Sequence, residues 1–568
     1  MKILTLHCDY IKFKALKKAI KNPEQIKNDD EHSVQEPLVV LTAVEHGDDQ
    51  KVFDAMIEAV KKTATEVKAK NIVLYPYAHL SSRLAAPAQA QKTLEQAEEV
   101  LKKDFKVTRA PFGYYKSFEL KCKGHPLSEL SKEFRPEGFE EIRMKPKEDV
   151  YDPTRLLREI SRSKLDTSKL KDNDHRILGQ KLDLFSFNEV APGMVFWHPN
   201  GLTIYNELVN YWREEHAKAG YKEISTPQIL DKKLWQISGH WDKYKDNIFL
   251  SKYEDRDFAV KPMNCPGGIL IYKTQTRSYK DLPMRVGELG IVHRQELSGV
   301  LAGLFRVIKF TQDDAHIYCT EETLEQELIA VMELTDKFYK KFNLPYRVEL
   351  STRPEKRIGS DEIWDKAEKA LEQVLKKKKT KFKLNKGDGA FYGPKIDFHI
   401  KDSLNREWQC ATLQLDFSMP ERFQLEYTDK DNTKKRPIML HRTILGSLER
   451  FIGIMLEHTN GHLPVWLSPV QARVLSFTDR NAKAAEKVAK ELKAQIPNLR
   501  VETDTESSTV SDKVRNAELQ KVPYIIVIGD KEEENKTLAV RSRGEKPKFG
   551  VKLEKFIEDT REKINKRA

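Results

Sequence analysis

A chain of 568 residues is too long for one hydrophobic core, and at roughly 150 residues per domain it divides into three or four. Hydrophobic residues at 39% and aromatic residues at 9% exclude a disordered or low-complexity chain, while the net charge of +12 permits a polyanionic partner without requiring one. Five scattered cysteines, Cys8, Cys122, Cys265, Cys319 and Cys410, do not form a disulfide framework, and no window approaches the ~18 uncharged apolar residues of a membrane span.

The opening MKILTLHCDY has a short apolar run broken by His7 and Asp9, so it reads as a strand rather than a signal peptide, and a reducing cytoplasm is expected. Apolar runs at Ile3–Leu6, Leu38–Val44 and Ile72–Tyr77, with a helical period from Val52 to Val67, give the first block, residues 1–145, an α/β pattern. Residues 146–182 are charge-rich, include the end of RMKPKEDVYDP, and read as a linker with a short helix. The largest block, 183–467, mixes strand-like segments with a helical pattern from Ile444 to His458. From 468 to 568, strands and helices alternate (VLSFTD, AAEKVAKELKAQ, LRVETD, VSDKVRNAELQ, YIIVIGD), which predicts a small, partly parallel sheet. The lysine run from Lys376 is expected to be a solvated surface.

Within the large block, VGELGIVHRQELSGVLAGLFRVIKFTQDDAHIYC places Arg294 before a Gly-containing loop and Arg306 after it. Guanidinium groups on both sides of a hairpin suit a polyphosphate, because each is always charged and offers forked donors; two ordinary salt-bridged arginines are the alternative. In HRTILGSLERFIGIMLEH, one helical face is apolar and the other carries Gly446, Arg450 and Gly453, an open spot where a planar base could lie beneath a guanidinium. Cys265, His316 and His441 each sit beside one of these segments. Thiolate and imidazole suit zinc, and three protein ligands leave a coordination position open, although each residue taken alone reads more readily as a core cysteine or a structural histidine. No HExxH string supports a zinc hydrolase.

These strings resemble the second and third signature motifs of class II aminoacyl-tRNA synthetases, and the stretch from Gly201 to Pro227 resembles the first. GHWDKYKDNIF, KPMNCPGG, FTQDDAHIYC, FYGPKIDF, WQCATLQLDF and GSLERFIGI are similar to the threonyl-tRNA synthetase family. YPYAHLSSRLAAPAQA and APFGYYKSFELKCKGHPLSEL resemble the family's archaeal-type editing domain, related in fold to D-aminoacyl-tRNA deacylases.

The resemblance implies a multi-domain α+β and α/β chain: an antiparallel-sheet catalytic core between an N-terminal α/β editing domain and a C-terminal α/β anticodon-binding domain. It implies ATP-dependent threonine activation, transfer to tRNA(Thr), and hydrolytic editing of seryl-tRNA(Thr). Cys265, His316 and His441 would hold one zinc per subunit that grips the threonine amino and hydroxyl groups. Arg294 and Arg306 would hold the ATP phosphates, with magnesium, and the developing adenylate, Glu296 the adenine amino group, Arg450 would stack near adenine and touch the γ-phosphate, and Lys395 and Gln409 would serve ATP or pocket shape. Gln312, Asp314, Tyr392, Cys410 and Gln414 would line the threonine pocket, and His240 would relay a proton during transfer. His79, Tyr115, Lys116 and Glu129 would form the editing site, and Glu532 and Arg541 would read the anticodon. Ser507, Gly268 and Ile308–Lys309 depart from the bacterial pattern of Asn, His and Arg–Gly. A homodimer is implied, with Trp212 and Pro227 in the motif that usually forms the subunit interface.

Overall fold

The structure is a computed structural model that describes residues 1–20, 22–26, 31–81, 83–136, 152–160, 168 and 170–568. Much of the expected linker, residues 146–151, 161–167 and 169, lies outside the described residues. The chain forms two compact units, Met1–Tyr151 and Asp152–Ala568.

In the first unit the opening strand runs much further than its apolar start, over Lys2–Lys18. Residues 2–7 pair antiparallel with Pro37–Ala43, and residues 8–18 pair with Tyr114–Cys122. The strand also pairs with His32–Gln35 and Glu129–Glu133, and polar residues such as Lys12 and Lys14 alternate with buried Ile11 and Phe13. Pro37–Ala43, Asn71–Pro76 and Lys106–Arg109 continue the sheet in parallel. Helix Gln50–Glu66, capped by the Asp49 carboxylate accepting from the Val52 N–H, buries Val52, Met56 and Val60 in the unit's core.

The second unit is built on an eight-stranded sheet in the order Lys222–Glu223, Met284–His293, Lys309–Cys319, Ile438–Thr443, Glu407–Asp416, Lys395–Lys401, Tyr346–Ser351, Phe382–Asn385. Only the outermost pair at each end is parallel. Alternation in Lys309–Cys319 sends Ala315 and Ile317 toward one face and Gln312, Asp314 and His316 toward the other. Leu413 and Leu415, two residues apart on Glu407–Asp416, join the same core as Ile317, packed with residues of helices Pro199–Lys218, Leu324–Lys341 and Leu448–His458.

Helix Leu448–His458 starts four residues later than the apolar period from Ile444 suggests. Ile444 is buried beside the end of the strand Ile438–Thr443, Gly446 sits in a left-handed turn at φ +80°, and the Ser447 hydroxyl caps the helix by accepting from the Arg450 N–H. Gly446 and Gly453 therefore do not share a helical face, and Gly453 is buried, with Leu304 and Phe305 where a Cβ would project. Trp212 is likewise packed inside the unit's own core, stacked on His216 with centroids 3.8 Å apart, and leaves no indole surface for an interface.

Residues 472–552 form the expected partly parallel sheet, in the order Val501–Asp504, Ala472–Ser476, Tyr524–Ile528, Thr537–Ser542, Lys548–Lys552. An ion pair between Arg500 and Glu207, 3.0 Å, ties this part to helix Pro199–Lys218. In the lysine run, Lys376, Lys377 and Lys378 pair with Glu372, Glu325 and Glu333. No helix among the described residues is long and apolar enough to cross a membrane.

Candidate active site and editing site

The open face of the eight-stranded sheet carries a cavity of about 590 Å³. Strand register brings its metal-ligating candidates together: His316 and His441 are direct partners on neighbouring strands, and Gln414 lies opposite His441 on the other side. Cys265 arrives from the start of helix Cys265–Lys273. Its sulfur and one ring nitrogen from each histidine lie within 4.8 Å of one another, and all three residues are buried.

The donor set fits a soft divalent cation. Among the described residues both ring nitrogens of His316 are buried without a hydrogen-bond partner, a costly arrangement for an imidazole that has nothing to bind. His441 Nε2 lies 2.7 Å from Asp416 Oδ2, which leaves Nδ1 as the nitrogen open to a cation, and Asp416 is itself fixed by the Ser418 and Met419 N–H groups. Burial, followed by the Asp314 and Asp416 carboxylates, pushes the Cys265 thiol well up, so a thiolate there calls for a cation beside it. Sequence reasoning missed Asp416, although period-two alternation onward from Cys410 and Gln414 points to it.

Gln312, Asp314, Tyr392, Cys410 and Gln414 all line the cavity, with Tyr392 Oη hydrogen-bonded to Gln414. Burial lifts the Asp314 carboxyl to about 6, while His441 opposes the rise. Arg294, Arg306, Arg450, Glu296 and Gln409 line the same space. Arg294 Nε donates to the Pro262 carbonyl at 3.1 Å and its guanidinium lies 5.2 Å from the Phe310 ring centroid. Arg450 Nε donates to the Phe305 carbonyl at 2.9 Å, and Arg306 pairs with Glu296 at 2.8 Å. Met263, Tyr244 and Phe305 also reach the cavity, and no local spacing in the sequence marked them.

Two expected residues sit apart from the cavity wall. Lys395 is held by Asp388 and Asp397 at 3.1 and 2.9 Å. His240 is fully buried behind Tyr244 and Phe391, with Nδ1 2.8 Å from Ser238 Oγ; burial, then His441 and Arg294, hold its ring down to about 3, so it is neutral near pH 7. The turn before Arg450 has an anchor that sequence reasoning also missed: the buried Asp313 carboxylate accepts from the Ile444, Leu445 and Gly446 N–H groups.

In the first unit, Lys116 stands on strand Tyr114–Cys122 opposite Ala15. Its ammonium donates to the Pro111 and Tyr114 carbonyls at 3.0 and 3.2 Å and lies 5.1 Å from the Tyr75 ring centroid. Burial brings it down to about 8, against the opposing pull of Glu24. A run of ring contacts leads from Tyr75 through Tyr77 to His79. Tyr115 is exposed beneath Lys17. Glu129 opens a strand paired to Leu6, and among the described residues no hydrogen bond or ion pair joins it to Lys116 or His79.

Residues 1–134 match the family described as the archaea-specific editing domain of threonyl-tRNA synthetase. Residues 249–459 match the class II core domain of tRNA synthetases for G, H, P, S and T, and residues 467–563 an anticodon binding domain. A structure described as the RNA binding domain of threonyl-tRNA synthetase from Cryptosporidium parvum superposes with a TM-score of 0.66 at 40% identity, over 68% of this chain and 97% of that one. The chain belongs to the threonyl-tRNA synthetase family. Threonine–tRNA ligases of Desulforamulus reducens, over 398 residues, and of Clostridium botulinum strain 657, over 394, are each 54% identical, covering 70% and 69% of this chain. The chain spans 62% of the length of each of these relatives.

In the part that matches the anticodon binding domain, the Glu532 carboxylate accepts from the Gly529 N–H at 3.2 Å and so caps its own helix, while Arg541 pairs with Glu518 at 2.6 Å. Nothing joins these two residues directly among the described residues.

Proposed function

We propose that this chain is a threonine–tRNA ligase with its own editing site. It would use ATP to convert L-threonine into threonyl-adenylate, transfer the threonyl group to tRNA(Thr), and hydrolyse seryl-tRNA(Thr) in the first unit. The observation that carries the reading is a Cys/His/His triad, two of whose members, Cys265 and His441, line the same cavity as Arg294, Arg306 and Arg450.

Cys265, His316 and His441 would hold zinc, which when bound would supply a Lewis-acidic position for the amino and hydroxyl groups of threonine. Gln312, Asp314, Tyr392, Cys410 and Gln414 would shape the pocket around the amino acid. Asp314 as a carboxylate offsets the charge of the threonine amino group. Arg294 would orient the carboxylate and α-phosphate for in-line attack, in which an oxygen of the carboxylate bonds to phosphorus and pyrophosphate departs. Arg306 and Arg450 would bear the remaining phosphates of magnesium-bound ATP, with Glu296 at the adenine amino group and Lys395 and Gln409 supporting the cavity wall. A neutral His240 would act in the transfer step once Tyr244 and Phe391 move. Glu532 and Arg541 would meet the anticodon after exchanging their present partners. We place the enzyme in the cytoplasm as a homodimer.

Valine has nearly the shape of threonine but no hydroxyl, whereas serine lacks only a methyl group, worth roughly 1–3 kcal/mol. Pyrophosphate exchange on the purified chain should therefore respond to threonine, more weakly to serine, and not to valine. Exchange driven equally by valine would reject the reading.

His79, Tyr115, Lys116 and Glu129 would form the second sieve, with the Lys116 ammonium facing developing negative charge. Lys116 holds its proton below about 8 and loses it above, so clearance of seryl-tRNA should fall as pH rises through that value. Lys116→Ala should charge threonine normally yet accumulate seryl-tRNA. Undiminished clearance by that variant would place editing elsewhere.

A further inference from the structure

His175 has no part in the reading above, yet it is among the most fully engaged side chains of the second unit. It opens helix His175–Lys181, capped by the Asp174 carboxylate, and is 1% exposed. Its Nδ1 lies 2.6 Å from Oε1 of Glu457, near the end of the helix that carries Arg450, and the same oxygen accepts the His175 backbone N–H at 2.9 Å. Its Nε2 lies 2.9 Å from the Leu304 backbone nitrogen. A backbone N–H can only donate, so Nε2 accepts, and the ring proton sits on Nδ1 facing Glu457. Asp174, His175 and Glu457 are close enough to suggest a cation site, but protein groups already occupy both ring nitrogens.

Leu304 belongs to the turn Gly303–Phe305, which leads directly into Arg306. The Ala302 N–H donates to the Arg306 carbonyl at 3.2 Å and closes that turn. The Phe305 carbonyl accepts from Arg450 Nε at 2.9 Å, and the Phe305 ring lies 4.2 Å from the imidazole, centroid to centroid. Gly303 has φ +54°, and a Cβ there would stand 2.2 Å from His175 Nε2, so the turn is built against the imidazole. Arg406 completes the frame, pairing with Glu457 at 2.7 Å while its guanidinium covers Phe305 and Trp408. Two of the three cavity arginines thus adjoin a turn that is bonded to, and packed against, one buried imidazole.

We infer that His175 is a positioning residue for the nucleotide, holding the Gly303–Phe305 turn against the Arg450 helix so that Arg306 and Arg450 converge on one polyphosphate. The inference rests on reading the cavity as an ATP site. It separates nucleotide binding from amino-acid binding, because among the described residues no hydrogen bond, ion pair or ring contact joins Cys265, His316 or His441 to the turn.

The test is calorimetric binding of magnesium-ATP and, separately, of threonine to the full chain. His175→Phe keeps a ring against Phe305 but cannot accept from the Leu304 N–H, whereas the side-chain oxygen in His175→Gln can. We expect His175→Phe to weaken ATP binding about tenfold, with threonine affinity and zinc content unchanged, and His175→Gln to return to within about threefold of wild type. ATP affinity unchanged in His175→Phe, no recovery in His175→Gln, or parallel loss of ATP, threonine and zinc would each overturn the inference. A wild-type chain that binds ATP but shows no threonine-dependent exchange would instead overturn the proposed function, and the ATP comparison would still decide the role of His175.

Discussion

His316→Ala yields a chain that no longer retains zinc, and its threonine-dependent pyrophosphate exchange falls with the metal. His316 is the most deeply enclosed of the three ligands, and among the described residues neither of its nitrogens has a hydrogen-bond partner. Its removal leaves one thiol and one imidazole, too few to hold zinc against competing water. Asp416→Asn, which loosens only the support of His441, should weaken zinc affinity by roughly 10–100-fold, less than the loss of a ligand. The check is metal content by elemental analysis after dialysis, alongside a melting curve that separates a folded, metal-free chain from an unfolded one. One zinc per chain persisting in folded His316→Ala would sink the triad as a metal site.

Arg294→Ala should lower threonine-dependent exchange by on the order of 100–1,000-fold with zinc content unchanged. Arg294 is anchored through Nε to the Pro262 carbonyl and lies over Phe310, so its terminal nitrogens are aimed before any ligand arrives. Lysine lacks both the Nε anchor and the planar fork, and Arg294→Lys should recover little of the loss. Single-turnover adenylate formation reads the effect directly, and near-wild-type rates in Arg294→Ala would remove that arginine from its assigned role.

Much of the site was legible in the residue order. Long strings around Arg294, Cys265 and Arg450 point to a common cavity without coordinates, and period-two alternation explains why Gln312 and Asp314 line it, with His316 on the same face of the strand, while Ala315 and Ile317 take the other. Local reading failed where long-range partners decide. The apolar period of Ile444–His458 runs through a turn, because an i, i+4 pattern cannot report that Asp313, more than a hundred residues earlier, claims the N–H groups of residues 444–446. Gly453 looked like an open seat for a base and is instead where Leu304 and Phe305 pack. The Glu296–Arg306 pair and the distance of Lys395 from the cavity wall are likewise set by neighbours that spacing does not reveal.

By itself the sequence determined the class of each domain, the family, and the chemical inventory of thiol, imidazoles and guanidiniums, because periodicity and motif strings are local and survive without coordinates. Only the tertiary structure decided which of those groups meet. His316 becomes the partner of His441 through strand register, Arg306 and Arg450 converge through one turn, and His175 acquires a role through contacts across the fold. Those relations arise from packing between segments far apart in the chain, and no window along the sequence contains them.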